Sequence, residues 1–473
     1  MNMHIAESEC RMRMARRDFL LIMLILGLSV AAGCAANPTC DSSFPEPRPL
    51  GNDLASYLPP TATSPVCSRG GETIDLSEPT GSLTLPRALA LALMKNPALA
   101  ATAWEVRVAE AKVLQAQLFP NPVVEAGAGS LFQSRNHSNR FVGQKIAELS
   151  QTFELSGKRA KRARVAALDA DLVGWDYETR RLDVFTEVTK YFVDMLAFQE
   201  QVALYAEMER QAEEMLISAS GRIKGGKAPR PEIIKVEIEL SNIRVQEVQA
   251  ADKLKAARRR LAGTWGQKAP AFEKVEGVLS DVSPVPSYEE LSEFVSKNPD
   301  VARWVKETEQ RSAALALENA KAIPDVTLGG GAQQYRNARQ DDFIFGLSLP
   351  IPIFDRNQGN ALAAEYRLEK ARAESMDAAV KVNTALGEAH QVLLSSYREA
   401  TGLRDKVLPA MERLLNAHCQ RLTKDQSALS DVVDARQALR ETRVKYVEAL
   451  AAYHKARADV ERLIGERLDR CFR

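Results

Sequence analysis

Lys95-Asn96-Pro97 recurs as Lys297-Asn298-Pro299, and each triplet opens the same succession of patterns: a helix, two short alternating segments and a long helical hairpin. The offset stays near 200 residues to the end of the chain, where Leu261-Ala262-Gly263 is answered by Leu463-Ile464-Gly465. Self-similarity on this scale sets the architecture before any motif is weighed. In both triplets asparagine is placed to cap a helix. Proline takes the first helical position, where its missing N–H costs nothing. The helices are expected over 97–118 and 299–322, each stopped by a proline, Pro120 and Pro324.

Beyond each helix the period changes to two. Residues 122–132 set Val124, Ala126, Ala128 and Ser130 against Val123, Glu125, Gly127 and Gly129. Residues 145–155 set Ala147, Leu149, Gln151 and Phe153 against Glu148, Ser150 and Thr152. The second copy repeats this over 325–335 and 342–351, where Phe343, Phe345, Leu347 and Leu349 alternate with Gly346 and Ser348. Each run has about the 9–11 residues that a tilted membrane strand requires. Four strands cannot close a barrel, and an open sheet in lipid leaves backbone edges unpaired. The chain is therefore expected to share a barrel with other copies. Two copies give eight strands and a filled interior; three give twelve and room for a pore.

After each strand pair come long helices. The first arm is expected over 157–224, without a proline, with Leu168, Leu172, Trp175, Leu182, Phe185, Phe192 and Leu196 at coiled-coil spacings. The chain turns at Gly225-Gly226 and Pro229 and returns over 231–264. The second hairpin is expected over 360–421, adjusted at Gly402 and Pro409, with a turn near Lys424-Asp425 and a return over 429–464. Both returning arms start alike, Glu232-Ile233-Ile234 matching Asp431-Val432-Val433.

The N-terminal 33 residues read as an export signal. Arg11, Arg13, Arg16 and Arg17 precede an apolar core over 19–30, too short to span a bilayer as a helix. It ends in Ala31-Ala32-Gly33-Cys34, the pattern of a bacterial lipobox in which Cys34 becomes the lipidated N-terminus. An ordinary signal peptide with a nearby cysteine is the alternative. Residues 34–82, rich in Pro, Ser, Gly and Thr, read as an extended arm, its first half equally compatible with disorder. Cys40 and Cys67 in this arm can pair in an oxidising compartment. Cys419 and Cys471 stand at opposite ends of an expected long helix, roughly tens of ångströms apart. The domains are then the signal (1–33), the arm (34–82), the first repeat (83–286), the second repeat (287–466) and a tail (467–473).

Charge is balanced, with 63 basic and 62 acidic residues, so there is no electrostatic case for nucleic acid. Gly221 to Lys227 resembles a phosphate-binding loop, but Ala228 stands where Ser or Thr must hold magnesium and the segment follows a helix. The five histidines have no zinc-ligand spacing, and His418 beside Cys419 points to a different helix face. No nucleophile–base arrangement, cofactor fingerprint or resident metal site emerges, which weighs against an enzyme. Asp431 and Asp434 share one helix face near the tip of the second hairpin. In a symmetric assembly with that face inward they form a ring of acids that can act as a cation-attracting gate. The plain alternative is acids complementing a helix start.

Over residues 83–466 the chain resembles the TolC-like outer-membrane efflux channels, and within them the outer-membrane components of cobalt–zinc–cadmium resistance systems. The resemblance is carried by L-T-L-P-R-A-L-x-L-A from Leu83, by Lys95-Asn96-Pro97, by Phe153-Glu154-Leu155-Ser156-Gly157-Lys158-Arg159, and by the run from Pro350 to Asn360. It implies a mostly helical homotrimer with a twelve-stranded β-barrel in the outer membrane and a periplasmic α-barrel. It also implies docking to a periplasmic adaptor (membrane fusion) protein and an inner-membrane resistance-nodulation-division pump. Asp431 and Asp434 fall on the family's acidic ring at the periplasmic entrance. The expected function is a passive exit duct, with divalent heavy-metal ions as the leading substrates. A duct of the same fold for drugs or secreted protein is the alternative within the fold. A lipid-anchored periplasmic coiled-coil scaffold without a barrel is the alternative outside it.

Overall fold

The computed structural model describes residues 43–59, 80–133, 140–224, 230–335, 340–424 and 429–471. Strand β1 (Gly81–Thr84) leads into helices α1 (Leu85–Lys95) and α2 (Pro97–Ala116). Strands β2 (Val123–Gln133) and β3 (Arg140–Phe153) follow, then the hairpin of α3 (Lys158–Lys224) and α4 (Arg230–Gly263). Strand β4 (Phe272–Glu276) closes the first repeat; the second opens with α5 (Tyr288–Ser292) and continues with α6 (Pro299–Lys321), β5 (Val326–Tyr335) and β6 (Gln340–Ser348). Its hairpin runs out through α7 (Gln358–Gly402), a π-helical turn (Leu403–Val407) and α8 (Leu408–Lys424). It returns as α9 (Leu429–Ile464), and α10 (Leu468–Cys471) follows.

The two repeated triplets sit where the repetition in the sequence predicts, and their contacts explain the repetition. Asn96 caps α2 by accepting from the Leu99 N–H at 2.9 Å, while its amide donates to the Thr264 carbonyl at 2.7 Å. Asn298 caps α6 by accepting from the Asp300 N–H at 2.7 Å and donates to the Leu463 carbonyl at 2.7 Å. Each asparagine therefore ties the start of its repeat to the end of the returning helix of the same repeat. Both side chains are buried, so their hydrogen bonds have no water to fall back on.

Packing follows the helical spacing. Leu168, Leu172, Leu182, Phe185, Phe192 and Leu196 are buried along α3, each fully buried apolar side chain contributing about 1.5–3 kcal/mol. Trp175, the remaining member of the expected seam, lies half-buried beneath the Arg48 guanidinium, 4.8 Å from its ring centre. α1 is buried on every side over residues 88–93, the mark of a helix enclosed by others. At about 1.5 Å per residue, the 67 residues of α3 span roughly 100 Å.

The repeats differ in their outgoing arms. α3 is unbroken, whereas the second arm passes through the π-helical turn just before Pro409. Proline has no N–H to donate and its ring crowds the carbonyl four residues back, at Asp405. The wider turn accommodates that misfit.

Two small features escaped the sequence reading. β1 pairs in parallel with β4, Leu83 opposite Val275, through strands of four and five residues that are too short to show a period. Residues 43–59 of the arm are packed, with Leu50 fully buried. The linker between repeats is also pinned. Tyr453 OH donates to the Ser283 carbonyl at 3.0 Å and accepts from its N–H at 3.1 Å. His454 meets the Leu279 carbonyl at 2.8 Å, and burial lowers its pKa so that the neutral ring is favoured.

Removing one asparagine tests this scheme. Asn298→Ala is expected to lower stability by about 1–2 kcal/mol, through loss of the cap and of the Leu463 tie. Urea unfolding followed by helix ellipticity is the measurement, and an unchanged midpoint contradicts the role.

Candidate functional site

β2, β3, β5 and β6 form one antiparallel sheet in that order, so β2 and β6 are its outer strands. The register sorts its residues onto two faces. Glu125 lies opposite Glu148, Glu148 opposite Gly331, and Gly331 opposite Ile344. Ser150, Gly329 and Gly346 share that face, as do Thr152, Thr327 and Ser348. The Thr152 and Thr327 hydroxyls lie 2.9 Å apart. The face is mostly polar or bare: a Cβ at Gly329 collides with the Glu148 carboxylate, so the glycine is what lets that side chain lie across the sheet.

The other face carries Val124, Leu149, Phe153, Leu328, Phe343, Phe345 and Leu347. Val124 is 74% exposed, Phe345 87% and Leu347 69%. A water-soluble sheet buries its apolar face against a core and wets the polar one. Here the apolar face is left uncovered, as in a sheet whose apolar side meets lipid.

The two specific junction motifs make the passage from sheet to helix. Ser156 and Gly157 both take positive φ, 59° and 67°, which ends β3 at Phe153 rather than at the expected residue 155. Asp325 then accepts from the Leu155 N–H at 3.1 Å and from Lys158 at 2.7 Å, joining the two strand pairs. Arg162 holds Glu154 in a bidentate pair at 2.5 and 3.1 Å. In the second junction Asn357, at φ 58°, donates to the Glu318 carbonyl and carboxylate, both at 2.8 Å. β6 stops at Ser348, short of the expected 351, and Pro350 and Pro352 follow it without N–H groups to extend the ladder. β3 starts at Arg140, five residues before the expected strand, because the hairpin pairs Gln133 with Arg140.

Near the far end of the hairpins Asp431 and Asp434 occupy the first turns of α9. Each meets a cation. Asp434 pairs with Lys235 of α4 at 2.6 Å, and the same ammonium donates to Ser430 at 2.7 Å. Asp431 lies 3.7 Å from Arg421 and 3.8 Å from the His418 ring, both on α8. Deeper between the hairpins a nearly buried Arg440–Glu239 pair joins α9 to α4. Sequence reasoning named the acids and missed their partners, although the signal was present. The match of Glu232-Ile233-Ile234 to Asp431-Val432-Val433 makes Lys235 the repeat counterpart of Asp434. Pseudo-symmetry thus sets opposite charges at equivalent positions.

Cys419 is a free, half-buried thiol, and His418 faces Asp431 instead of joining it. Among the described residues no group of three or more His, Cys, Asp or Glu is placed to hold a metal ion, and no helix is long and apolar enough to cross a membrane. Cys34, Cys40, Cys67 and the glycine-rich turn at 225–229 lie outside the described residues.

A family model described as outer membrane efflux protein matches residues 88–267 and 291–466, which covers both repeats. The chain is 30% identical over 388 residues to the cobalt-zinc-cadmium resistance protein CzcC of Cupriavidus metallidurans, spanning 82% of this chain and 91% of that one. It is 26% identical to the nickel-cobalt-cadmium resistance protein NccC of Alcaligenes xylosoxydans xylosoxydans, over 65% and 68% of the two chains. Among solved structures, one of CusC, described in terms of folding and transmembrane channel formation, superposes with a TM-score of 0.70 at 15% identity, covering 85% of this chain and 99% of that one. The open state of the Neisseria gonorrhoeae MtrE outer membrane channel gives 0.68 at 16% identity, covering 81% and 89%.

The ties between the hairpins should differ in strength. Lys235→Ala, at an exposed pair, is expected to cost less than about 1 kcal/mol. Arg440→Ala strands a buried carboxylate and is expected to cost about 3–5 kcal/mol. Urea unfolding of each variant checks the ordering, and equal costs contradict it.

Proposed function

The chain belongs to the outer membrane efflux protein family, and on that premise we propose that three copies associate into one exit duct for divalent heavy-metal cations. It is an outer-membrane channel that reaches into the periplasm, not an enzyme. The observation that carries the association is the sheet, and the need for a pore selects three copies over two. Four strands with an exposed apolar face and two outer strands cannot stand alone in lipid. Three such sheets joined β2 to β6 close a twelve-stranded barrel, and their polar faces line the pore.

The helical hairpins of the three copies continue the pore as a periplasmic tunnel. A periplasmic adaptor and an inner-membrane resistance-nodulation-division pump meet its lower end, and the pump supplies the energy. Cys34 carries the lipid that holds each copy to the membrane. The metal assignment is supported by the resemblance to proteins named for cobalt, zinc, cadmium and nickel resistance. The described residues cluster no tight metal ligands, which suits that cargo, since strong binding sites slow release.

Asp431 and Asp434 of each copy form the acidic periplasmic gate. Lys235 pairs with Asp434 in the closed arrangement, and parting the two hairpins leaves the carboxylate without that partner. The bare acids then draw cations into the entrance.

Planar-bilayer recording from the purified trimer tests this reading. Conductance through a single trimeric unit is expected, with block by divalent cations from the periplasmic side. Asp431→Ala combined with Asp434→Ala is expected to weaken that block by about tenfold. Unchanged block reduces the two acids to helix-start residues, and absence of conductance contradicts the duct. Metal sensitivity of a strain lacking the protein, with unaltered drug sensitivity, separates metal cargo from drugs.

A further inference from the structure

Residues 43–59 lie on the first repeat without regular secondary structure, with a turn over 49–54, and their hydrogen bonds to it run largely through main-chain atoms. Beneath them are Glu178 and Arg181 of α3, an ion pair with each side chain only 2% exposed. The pair does not use up its own hydrogen-bonding capacity. Glu178 accepts from the Arg48 N–H at 2.7 Å, and Arg181 donates to the Arg48 and Leu50 carbonyls at 3.2 and 3.0 Å. A buried ion pair is tolerable only when its remaining donors and acceptors are matched. On this face of α3 the matching groups come from a separate stretch of chain.

Two glycines shape the fit. Gly174, in the middle of α3, leaves space that the Ser43 carbonyl fills, and a Cβ there collides with it. Gly51 takes φ +71°, and a Cβ on it would stand 2.8 Å from the Phe185 ring. Leu50 between them is fully buried, and its N–H donates to the Gly465 carbonyl at 2.9 Å, at the end of α9. α3 belongs to the first repeat and Gly465 to the second.

We propose that the face of α3 from Gly174 to Phe185, together with the end of α9, is a binding site for a peptide that turns over a buried leucine, occupied in cis by residues 43–59. Its occupation clasps the first repeat to the second. The site reads the main chain entering the turn through the Glu178–Arg181 pair, and it reads sequence through a leucine followed by a glycine. It owes nothing to what the channel exports.

Gly174→Ala in the full chain is the discriminating variant, because alanine favours the helix while blocking the seat of Ser43. Hydrogen exchange over 43–59 is expected to quicken at least about tenfold, with helix content undiminished. A synthetic peptide of residues 43–59, added to a chain lacking them, is expected to slow exchange in α3 around 174–185. The same peptide carrying Gly51→Val is expected to have no effect. Unchanged exchange in Gly174→Ala overturns the proposal, as does equal protection by the two peptides. The Gly174→Ala arm decides alone where the shortened chain does not assemble.

Discussion

A peptide group without a partner in hydrocarbon costs several kcal/mol, about the energy of a hydrogen bond that neither water nor lipid can replace. The four-stranded sheet presents such groups along both outer strands, β2 and β6. Elsewhere among the described residues the long helices pair their own backbone groups. The chain's charges balance, its long helices pair in hairpins, and its cores are ordinary aliphatic packing. The sheet alone calls for further copies of the chain to pair its outer strands.

The repeat supplies the geometry, and its imperfections set the two halves apart. Both halves use a buried asparagine to fasten a helix start to the end of the returning arm. Both send a helical hairpin away from a strand pair. The outgoing arm of the first is continuous, while that of the second is widened at Leu403–Val407 by the demands of Pro409. Equivalent positions on the returning arms hold Lys235 in one half and Asp434 in the other, and the two meet. A perfect repeat would have placed like charges there. Divergence of a single position has converted repulsion into a tie between hairpins.

Most of this was legible in the sequence because each element announces itself by period. The triplets, the change from a helical period to alternation, and the proline-free first arm gave the order of elements and most boundaries within a few residues. What stayed hidden was contact between distant parts. β1 and β4 are too short for a period, and their pairing depends on where α1 and α4 come to rest. The packing of residues 43–59 rests on main-chain hydrogen bonds, which composition cannot reveal; proline- and glycine-rich sequence looked like a loose arm. The limits of β3 and β6 were set by the register of a hairpin and by positive φ at Ser156, both of which need coordinates. At the candidate gate the acids were visible from spacing on one helix. Their cations lie on two other helices.

The orientation of the sheet is the point on which the account stands, and spin-label accessibility measures it most directly. Single labels placed in turn along β6 and β5 of the membrane-reconstituted protein should alternate. Positions 328, 343, 345 and 347 should respond to oxygen dissolved in lipid, and positions 329, 331, 344 and 346 to a water-soluble relaxant. Equal access to the aqueous reagent at all eight positions would place the sheet in water and contradict the barrel.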